Sequence, residues 1–125
     1  MAIIECAWGG QRIEGFISED ALLEFPEGAE DVAVKRASFD EFEAFEAELE
    51  AFNANPVGPE PVAPGPNPAF EPNLAGQIFN GMVAPMVGYG VRGIVFYQGE
   101  ANSFFFASPN YAERLEALAL SLIHI

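Results

Sequence analysis

Two short polar turns carry the residues best suited to chemistry: Trp8-Gly9-Gly10 and Gln98-Gly99-Glu100. Gly9 and Gly10 lack a Cβ, so their backbone N–H groups can approach a ligand atom closely. Gln98 offers a side-chain amide with two donors, and Glu100 stands where it could orient its neighbours. Amide donors converging in one crevice are what an ester hydrolase needs to hold the negative oxygen of a tetrahedral intermediate. A glycine pair and a Gln-Gly-Glu turn also read as ordinary turn chemistry, and the residues alone leave both readings open.

Each turn follows a short apolar run that reads as a strand. Ala2-Ile3-Ile4-Glu5-Cys6-Ala7 precedes the first, and Gly93-Ile94-Val95-Phe96-Tyr97, rich in β-branched and aromatic residues, precedes the second. Two buried strands joined through helical and loop segments predict an α/β fold with a parallel sheet, in which the turns at the carboxyl ends of the strands share one crevice. Arg12 to Leu23 reads as a helix or a loop with helical turns, closed by Glu27-Gly28. Ser38, with Glu41 three residues on, has the pattern of a capping box. Phe39, Phe42, Phe45, Leu49 and Phe52 follow at spacings of 3, 3, 4 and 3, which predicts a helix with an apolar core-facing stripe. Glu41, Glu43, Glu46, Glu48 and Glu50 form its solvated face. From Asn55 to Pro72 the chain carries seven of its ten prolines, so this stretch reads as a long extended surface loop. A short helix holding Pro85 is expected over residues 80–89. Pro109-Asn110 ahead of Tyr111, Leu115 and Leu118 predicts another beginning near Asn110.

Half of the 125 residues are apolar, enough for one compact domain. Nineteen acidic against five basic residues give a net charge of -14, which repels a phosphate backbone and argues against nucleic acid as a partner. Cys6 is the only cysteine and His124 the only histidine, so no disulfide framework and no metal-ligand spacing is present. No basic segment followed by an apolar stretch opens the chain, and no apolar run is long enough for a bilayer, so no membrane association is expected.

The segment Asn80-Gly81-Met82-Val83-Ala84-Pro85-Met86, followed by Arg92-Gly93-Ile94-Val95-Phe96-Tyr97-Gln98-Gly99-Glu100-Ala101-Asn102, resembles the sialate O-acetylesterase family of the SGNH hydrolase superfamily. The family pattern is of the form YNGMIAPL, then RGVIWYQGExN. Ile3 to Phe16, with Trp8-Gly9-Gly10-Gln11-Arg12-Ile13-Glu14 at its centre, is similar to the family's SSWGGTxIEAW segment. The resemblance covers about a third of the chain. It implies a three-layer α/β/α sandwich with a parallel sheet, of which residues 1–119 are the middle section, and serine-esterase chemistry on acetylated sugars. The backbone N–H of Gly9 or Gly10 and the side chain of Gln98 are then the oxyanion donors, Glu100 supports them, and Trp8 and Tyr97 pack around them. It implies no cofactor, an acetylated carbohydrate as substrate, and a full-length parent that is secreted or periplasmic; oligomeric state is left open. Gln11 stands where the family has threonine, and Phe16 and Phe96 stand where it has tryptophan.

The family's nucleophilic serine lies in a GQSN motif and its histidine in a DxxH motif, and neither occurs in this sequence. Ser103 has no adjacent base and reads as a turn residue. Leu120-Ser121-Leu122-Ile123-His124-Ile125 departs from the family's continuation, and one codon choice for it reproduces the end of a transposon-derived sequencing adapter. The expectation is therefore a non-native tail at 120–125, a natural sequence running to about Ala119, and Met1 as an internal methionine. The leading reading is a carbohydrate O-acetylesterase whose nucleophile and base lie in the parent. An acetylxylan-type esterase is the neighbouring reading, and Tyr97 before Gln98 favours the sialate type. A non-catalytic acidic interaction module, built on the phenylalanine helix and the proline-rich segment, is the reading of a different class.

Overall fold

The computed structural model describes residues 3–104 and 110–123. Its regular elements are helical. They are a 3-10 turn at Ile13–Phe16, then α1 (Glu19–Leu22), α2 (Pro26–Ala54), a 3-10 turn at Pro68–Phe70, a π turn at Phe79–Val83, a 3-10 turn at Ala84–Met86, α3 (Glu100–Phe104) and α4 (Tyr111–Leu122). No strand or sheet occurs among the described residues, which overturns the α/β sandwich with a parallel sheet. Both segments read as strands run without regular structure and stand largely in solvent. Ile3 is 86% exposed, Val95 98% and Tyr97 90%. A parallel strand must bury both faces and both edges, and here the β-branched pattern meets neither condition. Apolar, β-branched composition describes a residue that would fit a pleated, covered surface; it does not provide the cover.

The core is small. Ile13 and Ile17 from the first 3-10 turn and its exit, Leu22 of α1, Val32 of α2, Ala75, and Ala117 and Leu118 of α4 form one buried cluster. Phe16 closes one side of it, edge-on to Phe96 with ring centroids 6.2 Å apart. Gly15 lies under the loop at Pro72, where a Cβ would come within 2.5 Å of the Pro72 carbonyl oxygen, so only glycine permits this approach.

Helix α2 begins twelve residues before the expected Ser38 cap, at Pro26. Proline with its fixed φ is suited to the first helical position. Residues 27–37 contain alanines, charged residues and a single tolerated glycine, with nothing to end a helix. Ser38 is therefore mid-helix, and its hydroxyl donates back to the Val34 carbonyl at 2.9 Å. The Glu27-Gly28 pair, expected to close a segment, instead lies in the first turn of α2. At the far end Asn55 leaves helical geometry because Pro56 disfavours it there. Gly28, Val32 and Lys35 bury the first part of α2 against the core. The phenylalanine stripe lies beyond it: Phe42, Phe45, Leu49 and Phe52 are half-buried and Phe39 is exposed, so the expected core stripe is a partly open face.

The proline-rich loop is extended over the surface to the 3-10 turn at Pro68–Phe70, as its composition predicts. The short helix around Pro85 is present as the π and 3-10 turns, and α4 starts at Tyr111 as expected. Pro109 and His124 lie outside the described residues. Within the final stretch, Ser121 Oγ lies 3.0 Å from Ser18 Oγ and accepts from Ser18 N–H, so α4 through Leu122 packs on the start of α1. No helix among the described residues is long and apolar enough to cross a membrane.

Candidate functional site

Residues 98–102 fold against residues 11–14 through a network of buried polar groups. Gln98 Nε2 donates to the Gln11 carbonyl at 2.9 Å and to Asn102 Oδ1 at 2.7 Å. Asn102 Oδ1 also accepts the Ile13 N–H at 3.0 Å, and its Nδ2 is shared between Glu14 Oε1 and Oε2 at 3.2 and 3.1 Å. Asn102 is 4% exposed and Glu14 5%, so these bonds form where water competes little. The geometry follows from chain direction: α3 begins at Glu100, which places Gln98 and Asn102 on the side facing the Gln11–Glu14 segment.

Glu14 is a buried carboxylate, and Arg114 of α4 neutralises it. Arg114 Nε stands 3.0 Å from Glu14 Oε1, and its terminal nitrogen donates to Asp31 Oδ2 of α2 at 2.6 Å. One guanidinium thus joins α4, α2 and the first 3-10 turn, a geometry its forked donors suit and an ammonium does not. Burial pushes the Asp31 carboxyl above its ordinary range, against the opposing pull of Arg114. Tyr111 at the start of α4 shares its hydroxyl proton between the Gln98 carbonyl at 2.7 Å and Gln98 Oε1 at 3.0 Å. Burial, then the nearby Glu100 and Glu14 charges, push the Tyr111 phenol above its ordinary value.

Gly9 and Gly10 form an exposed turn just before this network. Gly10 has φ +76°, which favours glycine, and Gln11 Nε2 folds back to the Gly9 carbonyl at 3.0 Å. The two turns are therefore neighbours: Gln11, adjacent to Gly10, is bonded to Gln98 directly. Glu100 is exposed at the first position of α3. Trp8 and Tyr97 do not pack into the site; they are 56% and 90% exposed.

Sequence reasoning singled out Gln98 but gave no role to Asn102, Glu14, Asp31, Arg114 or Tyr111. For Glu14 and Asn102 a signal existed, since both lie in the stretches that carry the family resemblance. Arg114 and Asp31 had none, because a charge that will be buried looks in sequence like one that will face water. Among the described residues no group of three histidines, cysteines or carboxylates could hold a metal ion. No family model, no curated protein and no solved structure matches this chain.

Proposed function

We propose that this chain is the oxyanion-binding section of a carbohydrate O-acetylesterase, acting on acetyl esters of sialic acid or a related sugar. The observation that carries the reading is the Gln98-to-Gln11 hydrogen bond, which sets the Trp8-Gly9-Gly10 turn beside the Gln98-Gly99-Glu100 turn. The chemistry requires the donors of these two turns to converge, and the Gln98–Gln11 bond supports the reading by joining the segments that carry them.

In this reading a serine of the complete enzyme, activated by its histidine, attacks the acetyl carbonyl. The carbonyl oxygen becomes an oxyanion, held by the N–H of Gly9 or Gly10 and by the Gln98 amide. The sugar hydroxyl leaves with the proton returned by the histidine, and water then releases acetate from the acyl-enzyme. Both Nε2 hydrogens of Gln98 are engaged, by the Gln11 carbonyl and by Asn102 Oδ1, so in this reading the whole amide rotates about its side chain and exchanges the Gln11 bond for one to the oxyanion. Trp8 and Tyr97, both exposed, offer aromatic faces to a sugar ring.

The test is Gln98→Ala in the complete enzyme recovered from the full reading frame. Losing one oxyanion donor is expected to lower kcat by ~10²–10³ with KM nearly unchanged, since the charge exists only in the transition state. Because Gln98 also bridges two segments, thermal stability is measured on the same variant. A folded variant with near-normal kcat removes Gln98 from catalysis. The 125 residues alone are expected to release no acetate above a buffer blank.

A further inference from the structure

Away from those turns, the proline-rich loop and α2 enclose an open groove of about 160 Å³. Its walls are Ser38, Glu41 and Phe42 of α2 facing the segment Pro64-Gly65-Pro66 and Pro68, with Glu71 and Leu74 completing it. We propose that this groove is a docking site for a lysine or arginine side chain presented by a protein partner, and this goes beyond the esterase reading.

The chemistry of the walls selects the guest. Proline has no N–H, so Pro64, Pro66 and Pro68 bring no backbone donor to the walls, and the Pro68 carbonyl is already taken by Gln77 Nε2 and the Glu71 N–H. Glu41 and Glu71 add two carboxylates, and no cation among the described residues lines the groove. Ser38 already donates its hydroxyl proton to Val34, leaving its oxygen as an acceptor. Two carboxylates with no lining cation among the described residues favour a positively charged donor, and the lysine ammonium and arginine guanidinium are the charged side chains that donate without accepting. Phe42 and Leu74 add apolar surface for the methylene stem, the usual division of a long basic side chain between apolar contact and charged head. The Glu71 carboxylate is held by its bond from the Asn73 N–H at 3.1 Å, so one of the two anionic groups is already oriented.

Two observations favour a protein segment over a free amine. Val62 and Phe70, on the same loop that builds the wall, are 87% and 82% exposed, which gives apolar surface for residues flanking the basic one. The net charge of -14 also draws a basic segment toward the chain while repelling nucleic acid and anionic membrane.

The experiment uses this 125-residue chain and a short fluorescein-labelled peptide carrying one lysine between leucines, followed by fluorescence polarisation at about 0.15 M salt. Saturable binding is expected. Glu41→Gln combined with Glu71→Gln is expected to weaken it by about three- to tenfold. Glutamine at 71 retains the oxygen that the Asn73 N–H needs, so the fold is preserved, and far-UV circular dichroism checks this. The control is Glu43→Gln with Glu50→Gln, an equal charge change about half a turn round α2 from Glu41, expected to stay within about twofold. Equal losses in the two double variants would mean diffuse attraction and overturn the proposal. Equal binding of a norleucine-for-lysine peptide would overturn the cationic anchor. Equally tight binding of cadaverine would overturn the protein partner.

Discussion

Asn102 has every polar atom of its side chain engaged: its oxygen accepts from Ile13 N–H and Gln98, and its nitrogen donates to both oxygens of Glu14. Asn102→Ala leaves a buried N–H and a buried carboxylate short of partners, and is expected to lower unfolding free energy by ~2–4 kcal/mol in denaturant titration. Asn102→Asp has nearly the same shape but sets a carboxylate against Glu14, so at neutral pH it is expected to be at least as harmful, with partial recovery in acid. If the aspartate variant were as stable as the parent at pH 7, Glu14 and Asn102 would not be the close buried pair described. At this scale the sequence was legible where a residue has unusual chemistry for a turn, as with Gln98 and Gly10. It was not legible where an ordinary residue acquires its role from burial. The same arginine, asparagine and glutamate on an open surface would need no partner, and composition does not distinguish the two situations.

Helices show the same division. The phenylalanine spacing revealed that a helix runs through residues 39–52, and Tyr111 with its followers revealed α4. The start of α2 was misplaced because Ser38-Glu41 imitates a cap, whereas the helix already has its proline start at Pro26 and nothing between to interrupt it. Gly28 likewise takes its role from its neighbours. In an ordinary helix Gly→Ala gains about 1 kcal/mol. At Gly28, however, a Cβ would come within 2.2 Å of the Leu22 carbonyl oxygen and 2.8 Å of the Phe25 ring. Gly28→Ala is therefore expected to destabilise, because α1 must move off α2 or the helix must start later. Gly81, exposed in the π turn with nothing within 4 Å of an added Cβ, is the matched control, and Gly81→Ala is expected to be neutral or stabilising by up to ~1 kcal/mol. Thermal melts followed by far-UV circular dichroism separate them: the same sign of shift at both positions would mean that the α1–α2 approach is not as close as described. The absent sheet belongs to this scale too. Ile94 and Val95 have strand-forming side chains, but pairing depends on a second strand at the right distance, and the described residues provide none.

Charge dominates the behaviour of the whole molecule. With 19 acidic and 5 basic residues, the folded chain concentrates repulsion that unfolding relieves. Lys35 and Arg114 are the buried exceptions, each held by carboxylates: Glu19 for the first, Glu14 and Asp31 for the second. Lowering the pH from neutral toward about 5 reduces the repulsion before most carboxylates titrate fully. Asp31 acts in the same direction. Its folded-state pKa is raised, so the folded chain takes up this proton before the unfolded chain does. Its favourable contribution is complete below the ordinary aspartate range and is lost as pH rises through the elevated folded value. Thermal stability is therefore expected to increase from pH 7.5 to about 5, and to fall again in strong acid, where general carboxylate protonation removes the ion pairs that hold Arg114 and Lys35. Added salt at pH 7.5 is expected to raise the melting temperature and to shrink the gain obtained by acidification, because it screens the surface repulsion more than it screens the partly buried pairs. Asp31→Asn should flatten the part of the rise that persists at high salt. A melting temperature that declines steadily from pH 7.5 to 5, at low and high salt alike, would mean that the Arg114 pairs outweigh both the global repulsion and the desolvation of Asp31, reversing the expected order of effects.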